Sequence, residues 1–70
     1  MSKHVLLGHL ALTYVGSCLP LEVLHSAGGH YIGTRDAHGP VTRESVEYFR
    51  SSAAAQRALE RGGWTQLHYS

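Results

Sequence analysis

Gly28 and Gly29 stand between two runs of β-forming residues, and no other feature of this chain narrows its folding as much. Glycine accepts the positive φ that two-residue hairpin turns demand, so a reversal centred on this pair is expected. Folding there pairs Ala27 with His30, Ser26 with Tyr31, His25 with Ile32, Leu24 with Gly33, Val23 with Thr34 and Glu22 with Arg35. The last pair sets opposite charges directly across from each other, which contributes a few tenths of a kcal/mol and helps to set the register.

Asp36-Ala37-His38-Gly39-Pro40 carries the residues of a second turn. Val41 to Phe49 then reads as a third strand, whose polar middle, Arg43-Glu44-Ser45, indicates an exposed edge, a bulge or a loop. Ser51 or Ser52 caps an alanine-rich helix over residues 52 to 61, stopped by Gly62-Gly63. Ala54, Ala55, Ala58 and Leu59 form its narrow apolar stripe, while Gln56, Arg57, Glu60 and Arg61 face water. Alanine lets the helix approach a sheet closely but buries little area, and Trp64 and Leu67 of the tail supply bulk, as a fourth strand. The expected fold is α+β: one domain, residues 1–70, with a small antiparallel sheet of three to four strands and one helix in the C-terminal half packed across it.

The first twenty residues, MSKHVLLGHLALTYVGSCLP, hold an apolar run from Val5 to Val15. Their outline resembles a bacterial lipoprotein signal, with Val15-Gly16-Ser17-Cys18 standing where the lipobox would be; that resemblance implies lipid on Cys18. The residues themselves read as a strand. Leu6, Leu10, Leu12 and Tyr14 alternate with Val5, Leu7, Ala11 and Val15, so both faces are apolar. Such a segment wants cover on both sides, which points to a homodimer through residues 4–15 or to an obligate partner. Eleven residues fall short of the roughly 20 that span a bilayer, so no membrane partner and a cytoplasmic location are expected.

A chain of 70 residues buries only about 60% of the surface its unfolded form exposes. Cys18 is the only cysteine, so no internal disulfide reinforces the thin core. Six Lys and Arg against five Asp and Glu leave a net charge of +1, well short of a polyanion binder's basic excess. Six histidines raise the question of a metal. His25 and His30 fall diagonally on one face of the hairpin, whereas His4 and His9 fall on opposite faces of a strand. The paired short spacings of a four-ligand zinc site are missing, so no metal and no cofactor are assigned. Nucleophilic catalysis needs a serine or cysteine beside an oriented base, and Ser45 has only Glu44 next to it.

Three resemblances bear on function. Tyr31 to Thr34, His38-Gly39, Tyr48-Phe49 and Ala54 to Ala58 are similar to the three-stranded-sheet-plus-helix DNA-binding domains of phage integrase arms and plant ethylene-response proteins. That likeness covers under half the chain and implies DNA read by Tyr31, Arg35 and Arg43, although Asp36, Glu44 and Glu47 would repel phosphate. Gly28 to Ile32, GGHYI, resembles the Gly-Ser-His stretch of small toxin ribonucleases; it implies His30 as base and Arg35 on the phosphate. Their long preceding helix is replaced here by Leu21 to His25. Tyr31-Ile32-Gly33-Thr34, Gly39-Pro40, Arg43-Glu44-Ser45 and Trp64-Thr65-Gln66 resemble short uncharacterised proteins of bacterial plasmids and integrated elements. That setting implies an inhibitor or regulator of a host nucleoprotein complex, of the anti-CRISPR or antirestriction type.

The expected function is therefore non-catalytic binding of a host protein or nucleoprotein complex, with nucleic acid binding and a His30 ribonuclease as alternatives. The contact surface is placed on the open sheet face and third strand, at Tyr31, Arg35, Arg43, Glu44, Glu47 and Tyr48, because exposed aromatic and arginine side chains dominate binding hot spots.

Overall fold

The computed structural model describes residues 6–68. Three antiparallel strands, β1 (Glu22–Ser26), β2 (Gly29–Asp36) and β3 (Gly39–Arg43), form a sheet in the order β1-β2-β3. The helix α1 (Ser52–Arg61) packs against β1 and β2. Ser51 caps it, its hydroxyl accepting from Ala54 N at 3.1 Å, and Gly62 closes it in the left-handed conformation at φ 73°. Ala55 is fully buried and Gln56, Arg57, Glu60 and Arg61 are exposed, as the apolar stripe requires.

The first turn lies one residue earlier than expected. Ser26 pairs with Gly29, His25 with His30, Leu24 with Tyr31, Val23 with Ile32 and Glu22 with Gly33, so Ala27 and Gly28 make the turn. Both primed turn types need positive φ at the first central residue, and no non-glycine residue described here has one. Instead Ser26 Oγ accepts from Gly28 N at 3.3 Å, and Gly29 takes φ 126° on re-entering the strand. The second hairpin repeats the device ten residues on: Asp36 Oδ1 accepts from His38 N at 2.8 Å, and Gly39 takes φ 126°. Ser or Asp opening the turn and Gly at its fourth position are type I turn preferences. Glu22 and Arg35 are thereby diagonal neighbours, yet they still pair, with Arg35 Nε 3.3 Å from Glu22 Oε1.

The third strand is shorter than the run from Val41 to Phe49. It begins at Gly39 and ends at Arg43, after a bulge opposite Thr34 and Arg35. The chain then swings out and returns, so that Phe49 bridges His30 through bonds of 3.0 and 2.6 Å. At the excursion's root Ile32 O accepts from both Glu44 N and Ser45 N, and Ile32 N donates to Ser45 Oγ at 3.0 Å. Among the described residues the tail does not add a fourth strand. It contributes a single bridge between Ser45 and Gln66, flanked by Val46 N to Thr65 O and Leu67 N to Glu44 O.

The expected N-terminal strand is corrected more thoroughly. Leu7 bridges Pro20, after which the chain turns helical at His9 and Leu10 and is π-helical over Ala11–Val15. The first helical turn leaves N–H groups without partners of their own. Two of them, Leu10 N and Ala11 N, are satisfied by Glu44, more than thirty residues away in sequence, which is why no local pattern announced a helix. His4 and Val5, at the start of the expected strand and dimer segment, lie outside the described residues.

Candidate binding surface

Glu44 was expected on the surface, and the structure places it in the core with no exposed area. Its Oε1 accepts from Leu10 N at 2.9 Å and Gln66 Nε2 at 2.7 Å; its Oε2 accepts from Ala11 N at 3.0 Å and Thr42 Oγ1 at 2.6 Å. Since Thr42 spends its proton on Glu44, the buried Thr34 hydroxyl is the donor to Thr42. Burial raises the carboxyl's pKa, but the bonds from Leu10, Thr42, Gln66 and Ala11 outweigh it and leave the group below its ordinary value. Four donors from three separated stretches of chain thus converge on one carboxylate. Glu44 joins the N-terminal segment, β3 and the tail, and it presents nothing to a partner.

The pairing sorts the remaining residues by face. Glu22, Leu24, Tyr31, Gly33, Arg35 and Arg43 share one side of the sheet; Val23, His25, His30, Ile32, Thr34 and Thr42 share the other. On the first side Tyr31 is only 7% exposed, because the Tyr48 ring meets it edge-on with centroids 5.9 Å apart. Tyr48 itself is 44% exposed. Arg43 lies over the Tyr48 ring at 4.8 Å and donates from Nη1 to its hydroxyl at 2.7 Å. A cation–π contact at an exposed site contributes about 0.5–1 kcal/mol, which together with the hydrogen bond favours this arrangement of the two side chains. Tyr31 is the pedestal of this surface, and half-buried Arg43 and exposed Tyr48 are its tip.

Two further expected residues sit around that tip. Arg35 remains on the same side, paired with Glu22 through side chains 61% and 37% exposed. Such pairs contribute about 0–1 kcal/mol, so Arg35 can exchange this partner for another molecule's carboxylate. Glu47 is half-buried and accepts from Thr65 N at 2.9 Å, tethering the tail. Burial raises its pKa, the bonds from Thr65 outweigh this, and the group ends below its ordinary value. Glu47 therefore serves the fold before any partner.

A second surface was visible only as an apolar run. Leu10 and Ala11 are buried, whereas Leu6, Leu7, Leu12, Tyr14 and Val15 are each about half exposed or more. Cys18 beyond them is free and exposed. No helix among the described residues is long and apolar enough to cross a membrane.

His30 and Arg35 project to opposite sides of β2, so the ribonuclease pairing expected of them is not formed. Ser45 is buried, donating to Glu47 O at 2.8 Å and accepting from Ile32 N. Among the described residues no cluster of three or more His, Cys, Asp or Glu is placed to hold a metal ion. Comparison with family models, with curated proteins and with solved structures found no match for this chain.

Proposed function

We propose that this chain is a non-catalytic binding module that docks on a host protein or nucleoprotein complex through Arg43 and Tyr48, with Arg35 at the rim. The observation that carries the reading is the pair of half-buried Arg43 and exposed Tyr48 braced on the buried Tyr31. Side chains ordered before binding lose less conformational freedom on docking, and tyrosine and arginine are the residues most enriched at hot spots. The consumption of Glu44 and Ser45 by the fold supports a role without catalysis. Regulation of a host nucleoprotein complex, in the manner of mobile-element inhibitors, is the setting this reading favours.

The test is recovery of partners from host extract on the immobilised wild type and an Arg43→Ala, Tyr48→Ala variant, both shown to be folded. Recovery is expected to fall at least tenfold in the variant and to survive nuclease treatment of the extract. Equal recovery by both proteins would reject the surface, and loss on nuclease treatment would move the reading to nucleic acid.

The half-exposed apolar N-terminal segment is proposed as a homodimer interface. Residues 6–21 contain no Lys, Arg, Asp or Glu, so no fixed like charges oppose the meeting of two copies there. Sedimentation at high micromolar concentration should show a species of twice the chain mass. A monomer throughout would remove this part of the proposal.

A further inference from the structure

The observed hairpin register changes the relation of two histidines. His25 and His30 are direct cross-strand partners, and their rings stack face to face, centroids 4.3 Å apart and planes inclined by 16°. His25 is exposed and His30 half-buried. The His30 backbone is held on both sides, by its pairing with His25 and by the two bonds to Phe49. The pair thus stands on a fixed part of the sheet, and its neighbours along that face, Val23 and Ile32, are apolar.

Neutral imidazole nitrogens are favoured ligands of zinc, copper and nickel ions. We propose that His25 and His30 form an open, two-imidazole site for a late first-row divalent metal ion. Zinc–nitrogen bonds of about 2.0–2.1 Å require ligand nitrogens about 3–4 Å apart. The two stacked rings reach that separation by turning about their Cβ–Cγ bonds, a torsion that is broad for imidazole. With no third side-chain ligand at hand among the described residues, water or a group from another molecule completes the coordination sphere. The site is therefore a surface chelate. It is independent of the docking role of Arg43 and Tyr48, which lie on the other side of the sheet.

Zinc(II) titrated into the full chain at neutral pH, followed through the histidine ring resonances, tests the site. The rings of His25 and His30 should shift together and saturate at one ion per chain. His25→Ala and His30→Ala should each weaken binding by at least about tenfold, an effect no smaller than the loss of a supporting residue around a metal. His38→Ala, on the other turn, should leave binding unchanged. Wild-type affinity in folded His25→Ala, or shifts that track His9, His68 or Cys18 instead, would overturn the proposal.

Discussion

Glu44→Gln is expected to cost about 3 kcal/mol of folding stability, although it replaces a single oxygen by an amide nitrogen. Each carboxylate oxygen accepts from one backbone N–H and one side-chain donor: Leu10 N with Gln66 on Oε1, Ala11 N with Thr42 on Oε2. The Thr42 hydroxyl and the Gln66 amide can turn to accommodate an NH2 group. The backbone N–H groups cannot, so either orientation of the new amide sets a donor against a donor. A buried donor left without a partner costs about 1–3 kcal/mol, and the charged character of the remaining bonds is lost as well. A domain of this length has roughly 4–10 kcal/mol of stability in all, so the loss is a large share of it.

The same substitution should change the response to acid. Glu44 in the folded chain lies below its ordinary pKa of 4.5, despite burial, because of the donors around it. A group lowered on folding stabilises fully above its unfolded pKa, and that contribution is lost as pH falls through the folded value. The stability difference between wild type and Glu44→Gln should therefore be largest at neutral pH and shrink in acid below that ordinary value. Glu47 is lowered too, but it is present in both proteins and cancels from the difference. Denaturant unfolding at the two pH values measures this, and a difference that does not depend on pH would speak against it.

Gly8→Ala is the second large effect. A methyl group there would lie 2.7 Å from Glu44 Oε2 and press on the Thr34 methyl, and both neighbours are fully buried. Neither can move without opening the network, so an overpacking cost of about 1–3 kcal/mol is expected. Because Gly8 and Glu44 act on one contact, the double variant should be less destabilised than the sum by more than about 0.5 kcal/mol. Strict additivity would mean that the N-terminal segment does not rest on Glu44.

These two residues also show where sequence reasoning stopped. The helix was legible to the residue because its signals are local: a serine cap, an alanine run and a glycine stop. Both hairpins are legible as turns, and the first falls one residue before Gly28-Gly29 because its turn is not of the primed type that a glycine pair suggests. The repeated pattern Ser-Ala-Gly-Gly and Asp-Ala-His-Gly, a capping side chain first and glycine last, held the correct register. Glu44 was not legible. Between Arg43 and Ser45 a carboxylate reads as solvated, and only Leu10, Ala11 and Gln66, remote in sequence, make its burial affordable. The N-terminal helical turn was hidden for the same reason, since its cap comes from Glu44. Of the expected contact surface, Arg35, Arg43 and Tyr48 keep their exposure or part of it: strand pairing sets the side of Arg35 and Arg43, whereas Tyr48, beyond the end of β3, is placed by its contacts with Tyr31 and Arg43.

The buried Glu44 carboxylate, as the point where both ends of the chain meet the sheet, is most directly tested by nuclear magnetic resonance on the unmodified protein. Titration of the Glu44 side-chain carbon should run below 4.5. The amides of Leu10 and Ala11 should exchange hydrogen only on major unfolding, and their protection relative to the free-amide rate at the same pH should fall as Glu44 protonates. A Glu44 that titrates at or above its ordinary value, with Leu10 and Ala11 exchanging as freely as loop amides, would contradict it.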